Sequence, residues 1–279
     1  MAKKRLKLWL LPAILAAAGI CWFDNFTVRT THVTLRCGTL PDAFSGLRIV
    51  QLADLHGRSF GQAHSGLLDA VRAAQPDVIA LVGDLADEYT ALPSLRPLLA
   101  GLTAIAPVYY VTGNHEWVMP RQTRQALFTL LDLYGVIRLQ NDWRVLERNG
   151  QQLVLAGVDD PNGPADQKRA PELVREIRAS CGEDVPIVAL CHRNDQLALW
   201  AKLGVAVVLS GHAHGGIVRI PGVGGVFGTH YEFFPGDEAG LYRQDGTQLY
   251  VSRGLGPSHR LPLRICNPPE LPVITLTRG

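Results

Sequence analysis

Three short apolar runs in the first half of the chain each lead into a polar motif, and they lie about one strand–helix unit apart. The runs cover residues 47–52, 78–82 and 108–111. Runs of this length are typical of strands buried on both faces, and the segments between them have the length of helices. Strands that alternate with helices build a parallel sheet. The sequence therefore predicts an α/β fold in which the polar motifs meet at the carboxyl edge of the sheet.

The second half of the chain predicts more strands in a different arrangement. Asn149-Gly150 and Asp245-Gly246 are turn dipeptides typical of hairpins. Apolar runs at 187–190 and 205–209 lead into two further polar motifs, and a last strand is predicted at 273–277. We therefore predict two packed sheets with helices on the outside.

The polar motifs contain carboxylate, imidazole and amide groups, which are the ligands that borderline-hard divalent cations prefer. Some of these motifs are weak signals alone, because a lone Asp-x-His pair, a Gly-Asp turn or a single histidine has ordinary structural explanations. All of them follow predicted strands, so we expect their side chains to surround a pair of metal ions. The motifs are Asp54-Leu55-His56, Gly83-Asp84, Gly113-Asn114-His115-Glu116, His192 and Gly211-His212-Ala213-His214.

Length and composition indicate an ordinary globular protein. The 279 residues are 47% hydrophobic and 19% charged, which fits one large domain with a full core. The formal net charge is +2, and much of that excess lies at the extreme N-terminus. So small a charge argues against nucleic acid as the main partner.

The N-terminus carries a basic cluster followed by an apolar run. Four basic residues between positions 3 and 7 precede the apolar residues 8–23. This pattern predicts either an uncleaved membrane anchor or a signal peptide that is removed, for which Ala16-Ala17-Ala18 would suit a signal peptidase. The alternative is a buried helix of the main domain. The positive-inside rule places the N-terminus in the cytoplasm and the main domain outside it.

The cysteines are sparse and show no Cys-x-x-Cys pair. We expect free, mostly buried thiols and no cysteine zinc site. The five cysteines are Cys21, Cys37, Cys181, Cys191 and Cys266.

In their order along the chain, these motifs resemble those of the calcineurin-like metallophosphoesterase superfamily. The N-terminal run and the tail at 240–256 resemble its membrane-associated bacterial branch, which includes UDP-2,3-diacylglucosamine hydrolase-like and phosphodiesterase members. The resemblance implies a four-layer αββα sandwich of two mixed sheets flanked by helices, with an N-terminal membrane segment. It implies an anchor or signal at 1–23, a juxtamembrane strand or linker at 24–46, and a metallophosphoesterase domain at 47–279. A single N-terminal span in the bacterial plasma membrane, with the catalytic domain outside or alternatively facing the cytoplasm, follows from it.

The resemblance also implies a role for each motif residue. His115 would be the catalytic proton donor or the group that stabilises the transition state. The two cations would be manganese, iron or zinc. The first metal would be held by Asp54, His56, Asp84 and His214, and the second by Asp84, Asn114, His192 and His212.

The sequence departs from the family pattern at three places, and none of them removes a ligand. Arg58 stands where the first motif usually has glycine, Ile217 stands where the last motif often has glutamine, and Arg193-Asn194 follows His192. Guanidinium groups match phosphate oxygens, so we predict that Arg58 and Arg193 bind the substrate phosphate; the alternative is that they are surface arginines. Asp87 and Asp160 could support the ligands from behind, but we favour the interpretation that both are exposed acids.

The function implied is hydrolysis of a phosphodiester or pyrophosphate by a hydroxide held between the two metals. The predicted membrane segment favours an envelope-linked or lipid-linked substrate. One alternative is a UDP-2,3-diacylglucosamine pyrophosphatase of lipid A synthesis. An alternative from another class is a non-catalytic metal-binding module that uses the same fold for partner recognition. The sequence leaves the oligomeric state open.

Overall fold

The computed structural model describes residues 15, 19, 22–23, 25–228, 232–258 and 263–279. Its helices are α1 (Ser65–Ala74), α2 (Arg96–Thr103), α3 (Asn114–Val118), α4 (Arg121–Leu133), α5 (Ala170–Cys181) and α6 (Leu197–Lys202). Short 3₁₀ turns cover Asp42–Phe44, Gln62–His64 and Leu92–Leu95. The strands are β1 (Arg29–Cys37), β2 (Arg48–Leu52), β3 (Val78–Val82), β4 (Val108–Val111), β5 (Ile137–Arg138), β6 (Asp142–Arg148), β7 (Gln151–Val158), β8 (Ile187–Cys191), β9 (Val207–Ser210), β10 (Val218–Ile220), β11 (Gly224–Phe227), β12 (Gly240–Gln244), β13 (Thr247–Val251) and β14 (Glu270–Arg278).

The first sheet has the strand order β1-β14-β2-β3-β4-β5. Strands β2 to β5 run parallel, and β14 is antiparallel to β2 and parallel to β1. Every residue of β3 and β4 is buried, which is the pattern of strands covered on both faces. Their carboxyl ends therefore open together at one edge of the sheet.

The second sheet has the strand order β12-β13-β9-β8-β7-β6. Strands β7, β8, β9 and β13 run parallel, and an antiparallel hairpin strand closes each edge. The two hairpins turn at Asn149-Gly150 and Asp245-Gly246, where both residues of each pair have positive φ. That is the conformation of a type I′ turn, so both predicted hairpins are present.

The two sheets face one another across an apolar layer. Ile49 and Val82 of the first sheet pack there with Leu155, Leu190 and Leu209 of the second. Helices α1, α2 and α4 cover the other face of the first sheet, and α5 and α6 cover the other face of the second. The order of layers is therefore helix, sheet, sheet, helix.

The predicted fold class and location need one correction. In the part of the chain that the structure describes, no helix is both long enough and apolar enough to cross a membrane. This finding contradicts the predicted N-terminal membrane segment and the single-span plasma-membrane location that was based on it. Most of the apolar run at 8–23 lies outside the described residues.

Residues 29–37, which fall in the predicted juxtamembrane stretch, form the edge strand β1. This strand pairs with β14 along its whole length. Leu35 and, beyond the strand, Phe44 are fully buried in the layer between the sheets. This part of the stretch is thus integrated into the sandwich, while the domain boundaries themselves stay predictions.

We expect the four cysteines that the structure describes to differ sharply in reactivity, because burial raises the pKa of Cys37 to about 11 and that of Cys191 to about 12. A protonated buried thiol is a poor nucleophile, whereas Cys266 is exposed. Iodoacetamide at pH 8 should label Cys266 rapidly and leave Cys37 and Cys191 unmodified in peptide maps. All should react in urea, and labelling of native Cys191 as fast as Cys266 would contradict this packing.

Candidate metal centre

The five polar motifs meet at the carboxyl ends of strands from both sheets. Asp54, Asp84 and Asn114 follow β2, β3 and β4 of the first sheet. His192 follows β8 and the pair His212 and His214 follows β9 of the second sheet. Parallel strands place their ligand sites at this edge. The two sheets thereby bring motifs that are distant in sequence into one cluster.

The backbone at this cluster is unusual, because several non-glycine residues adopt the left-handed conformation, which is rare for them. Five predicted ligands adopt it, with φ between 49° and 70°. Outliers of this kind concentrate at functional sites, where the surrounding structure holds them in place. The five residues are Asp54, His56, Asp84, His212 and His214.

The motif glycines allow close approach. Gly83 has a φ of +76°, and a Cβ placed on it would lie 2.5 Å from Nδ1 of His192. A Cβ on Gly211 would lie 2.5 Å from Oδ2 of Asp54, which is too short for any side chain. Only glycine therefore lets these loops sit directly against the ligands.

The first group of candidate ligands is Asp54, His56 and His214. Their ligand atoms all lie within 4.8 Å of one another. The Nε2 atoms of His56 and His214 are 3.3 Å apart, and Asp54 Oδ1 is 3.6 Å from His214 Nε2. Two imidazole lone pairs this close repel each other unless a proton or a cation lies between them. The geometry therefore fits a metal ion.

The second group is Asp84, His192 and His212, which meet the same distance limit. Asp84 Oδ2 lies 3.2 Å from His192 Nε2 and 3.8 Å from His56 Nε2, so this carboxylate contacts both groups. His192 Nδ1 is 3.0 Å from the carbonyl oxygen of Val82 and would donate to it, which directs Nε2 at the cluster.

Asn114 follows β4 and directly precedes His115, so it lies at the same edge of the first sheet. Its Oδ1 is buried and accepts no hydrogen bond in the described structure. Buried polar atoms are nearly always satisfied, so an orphaned amide oxygen directly before His115 in the chain fits the role of a cation ligand. The donor set of these residues thus fits divalent metal binding.

His115 lies at the rim of the cluster, and its side chain is partly exposed. Its backbone N–H donates to Asp84 Oδ1 at 2.8 Å, and its ring packs edge-on against His56 with centroids 4.9 Å apart. With His56 and Asp84 it forms a third group that meets the same distance limit. The distances alone would also allow it to ligate a metal.

Burial and the charges of neighbouring groups shift the pKa values of these residues in opposite directions. Burial raises the pKa of Asp54 to about 6. Burial also disfavours the charged forms of His192 and Asp84, but their mutual attraction prevails, raising the pKa of His192 to about 10 and holding that of Asp84 well below its usual range. Burial and the nearby His56 hold the pKa of His214 well below its usual range, so this imidazole is neutral and able to ligate.

Glu116 is a site residue that the sequence reasoning named only as part of a motif. It is fully buried, and its two carboxylate oxygens accept four backbone N–H groups at 2.7–3.3 Å. Three of these donors belong to residues 84–86 and the fourth to Gly113. The capping-box spacing of Gly113 and Glu116 was the sequence signal for this role.

The interpretation of Asp87 and Asp160 as exposed acids is wrong. Their residues are 5% and 2% exposed. Asp87 Oδ2 lies 3.4 Å from His56 Nδ1 and orients that ring from behind. Asp160 accepts two hydrogen bonds from Arg193, at 2.6 and 3.3 Å.

The two arginines that were predicted to bind the substrate phosphate lie in different places. Arg193 lies at the cluster, because its Nη1 is 3.0 Å from His212 Nε2 while Asp160 holds the rest of its guanidinium. Arg58 instead lies 4.8 Å above the ring of Phe26 and donates to the carbonyl oxygen of Asn25. Arg193 is therefore the better placed to meet an anion beside the second ligand group.

Comparisons with known proteins identify related sequences. A family model described as calcineurin-like phosphoesterase matches residues 47–216. The uncharacterized metallophosphoesterase YkuE of Bacillus subtilis is 27% identical over 91% of this chain and 87% of its own length. A Danio rerio transmembrane protein with metallophosphoesterase domain is 31% identical over 97% of this chain, which spans 62% of it. The phosphodiesterase YaeI of Escherichia coli is 27% identical over 84% of this chain and 83% of its own length.

We expect Glu116→Gln to destabilise the metal-free protein by roughly 2–4 kcal/mol, since an unsatisfied buried donor costs about 1–3 kcal/mol. The amide keeps one acceptor oxygen and turns an NH₂ group toward two of the four backbone N–H groups. Urea unfolding in the presence of a chelator measures this. Glu147→Gln, on the exposed hairpin strand β6, is the matched control and should change stability little. Equal stabilities of the two variants would contradict the role of Glu116.

Proposed function

Because the chain belongs to the calcineurin-like phosphoesterase family, we propose that its buried cluster holds two divalent cations and hydrolyses phosphodiesters. Membership makes the chain a metal-dependent phosphoesterase, and the number of metals and the substrate are the proposed part. The observation that supports two metals is the position of Asp84, whose carboxylate contacts imidazoles of both ligand groups. A carboxylate in this position could contact both ions of a closely spaced pair.

Each proposed cation has four ligands from this chain. Asp84 belongs to both sets, and the donors mix carboxylate and amide oxygens with imidazole nitrogens. That mixture suits manganese, iron or zinc. When bound, the two ions would activate a water molecule and neutralise charge on the phosphate. The first site is Asp54, His56, Asp84 and His214, and the second is Asp84, Asn114, His192 and His212.

His115 has the position of a proton donor. Its ring lies beside the first ligand group at the partly exposed rim, where the leaving alkoxide of a substrate would depart. Its backbone N–H bond to Asp84 fixes it relative to the shared carboxylate. Glu88 Oε2 lies 3.7 Å from His115 Nδ1, so a carboxylate faces the ring on that side.

A phosphodiester is the substrate class we favour, because the relative from Escherichia coli is named a phosphodiesterase. The prediction of an envelope-linked or lipid-linked substrate depended on a membrane segment. In the part of the chain that the structure describes, no helix is long and apolar enough to form one. No contact in the described part of the chain favours the pyrophosphate of lipid A synthesis over other esters. The non-catalytic alternative predicts loss of a ligand or of His115, whereas the chain retains all eight residues, and seven of them lie in the three groups described above.

We expect Asp84→Ala to lose both metals and His115→Asn to keep both while turnover falls by roughly 10²–10⁴-fold. Asp84 is shared by the two sites, whereas the proposed role of His115 is proton transfer alone. Metal content of the purified variants and turnover of bis-p-nitrophenyl phosphate measure the two effects. Two metals in Asp84→Ala would contradict the shared ligand. Loss of a metal from His115→Asn would make that residue a ligand instead.

Arg193→Met should raise KM for bis-p-nitrophenyl phosphate by roughly tenfold or more, since a charge-assisted hydrogen bond contributes about 1.5–3 kcal/mol. Arg58→Met is the comparison within the chain, because its guanidinium stacks on Phe26, and it should leave KM within about twofold. Steady-state kinetics at saturating metal separates them. The reverse result would assign the phosphate contact to Arg58.

A further inference from the structure

Arg264 is among the largest fully buried side chains of the part of the protein that the structure describes. Its exposed fraction is 2%. It lies in the C-terminal tail, beyond the residues 47–216 that match the family. A buried guanidinium is costly unless its N–H groups are all satisfied, so its position calls for a functional explanation.

The hydrogen bonds of its guanidinium go to backbone carbonyl oxygens on two segments of the tail. Nε donates to Gly256 at 3.0 Å and Nη2 donates to Arg253 at 2.9 Å. Nη1 donates to Asn267 at 3.3 Å. The rigid, planar fork thereby fixes the segment 253–256 relative to Asn267.

The segment 253–256 packs on the backbone of the first metal ligand. The N–H of Gly256 donates to the carbonyl oxygen of Asp54 at 2.6 Å, and that of Leu255 donates to Ala53 at 3.0 Å. A Cβ on Gly254 would lie 2.7 Å from Cβ of Asp54, so this backbone is in direct contact with the ligand.

Asn267 contacts the backbone of His214, which is another proposed ligand of the first metal. Its Nδ2 donates to the carbonyl oxygen of His214 at 2.7 Å. Arg264 thus connects Asp54, which follows β2 of the first sheet, with His214, which follows β9 of the second. The contacts of Arg264 reach the first site and none of the ligands that belong to the second site alone.

We infer that Arg264 is a positioning residue for the first metal, holding the backbones of Asp54 and His214 at the spacing that the cation needs. The inference rests on the proposed two-metal function. Groups that orient metal ligands from outside typically change metal affinity by about 10–100-fold when they are altered. Because the Arg264 fork spans three carbonyls, lysine keeps the charge but loses the connection.

The test measures Mn²⁺ affinity at each site separately, by electron paramagnetic resonance of the free ion. His192→Ala leaves the first site, and His214→Ala leaves the second. We expect Arg264→Lys to weaken Mn²⁺ binding by about 10–100-fold in the His192→Ala background and by less than about twofold in the His214→Ala background. When Arg264→Lys is the only substitution, kcat should recover as the Mn²⁺ concentration is raised, because the variant lowers only the occupancy of the first site.

Arg178→Lys is the matched control. Arg178 also donates to backbone carbonyls, those of Val185 and Gly204, but away from the cluster on the helix side of the second sheet. It should lower thermal stability and leave both Mn²⁺ affinities unchanged. If Arg264→Lys does not fold, Asn267→Ala decides the matter, since it removes the contact with His214 and should give the same selective loss.

Three results would overturn the inference. Equal weakening at both sites would make Arg264 a general structural residue, and unchanged affinity at the first site would remove its role altogether. Both leave the two-metal function intact, because the unaltered chain would still bind two ions. Failure of the unaltered chain to bind Mn²⁺, iron or Zn²⁺ would instead overturn the proposed function and the inference with it.

Discussion

The contact of one buried carboxylate with imidazoles from both sheets is the interaction on which the rest of the site depends. Asp84 follows β3 of the first sheet, and its Oδ2 lies 3.2 Å from Nε2 of His192, which follows β8 of the second. Such a carboxylate between neighbouring imidazoles is stable in a protein interior only with compensating charge. The helix–sheet–sheet–helix order supplies the rigid layers that bring the two strand ends together. In the proposed function, this carboxylate would serve two cations.

Two buried side chains, Glu116 and Arg264, hold this arrangement in place through backbone hydrogen bonds. Glu116 gathers the backbone N–H groups around Asp84 and Gly113. Arg264 gathers the carbonyl oxygens of the tail that packs behind Asp54 and, through Asn267, behind His214. The carboxylate uses N–H donors and the guanidinium uses carbonyl acceptors, so each fixes loops whose own hydrogen bonds are not satisfied by a sheet. These hydrogen bonds therefore help to hold the left-handed backbone of the candidate ligands in place.

The sequence predicted those features that depend on local pattern. Strands β3 and β4 have the predicted bounds because their apolar runs are uninterrupted, and the Asn149-Gly150 hairpin follows from two residues that tolerate positive φ. The seven proposed ligands also follow strand ends, as expected. Burial of Asp87 and Asp160 could not be predicted, because it is created by contacts with residues that are distant in sequence. The role of Arg264 depends on how the tail folds back on Asp54, and no short motif specifies that packing.

The most direct test of the central claim is a crystal structure of the protein soaked in Mn²⁺, with an anomalous difference map collected at the manganese absorption edge. Two strong peaks are expected, one on each side of the Asp84 carboxylate. One peak would be in contact with Asp54, His56 and His214, and the other with Asn114, His192 and His212. A single peak, or peaks that do not contact Asp84, would contradict a pair of cations that share this carboxylate.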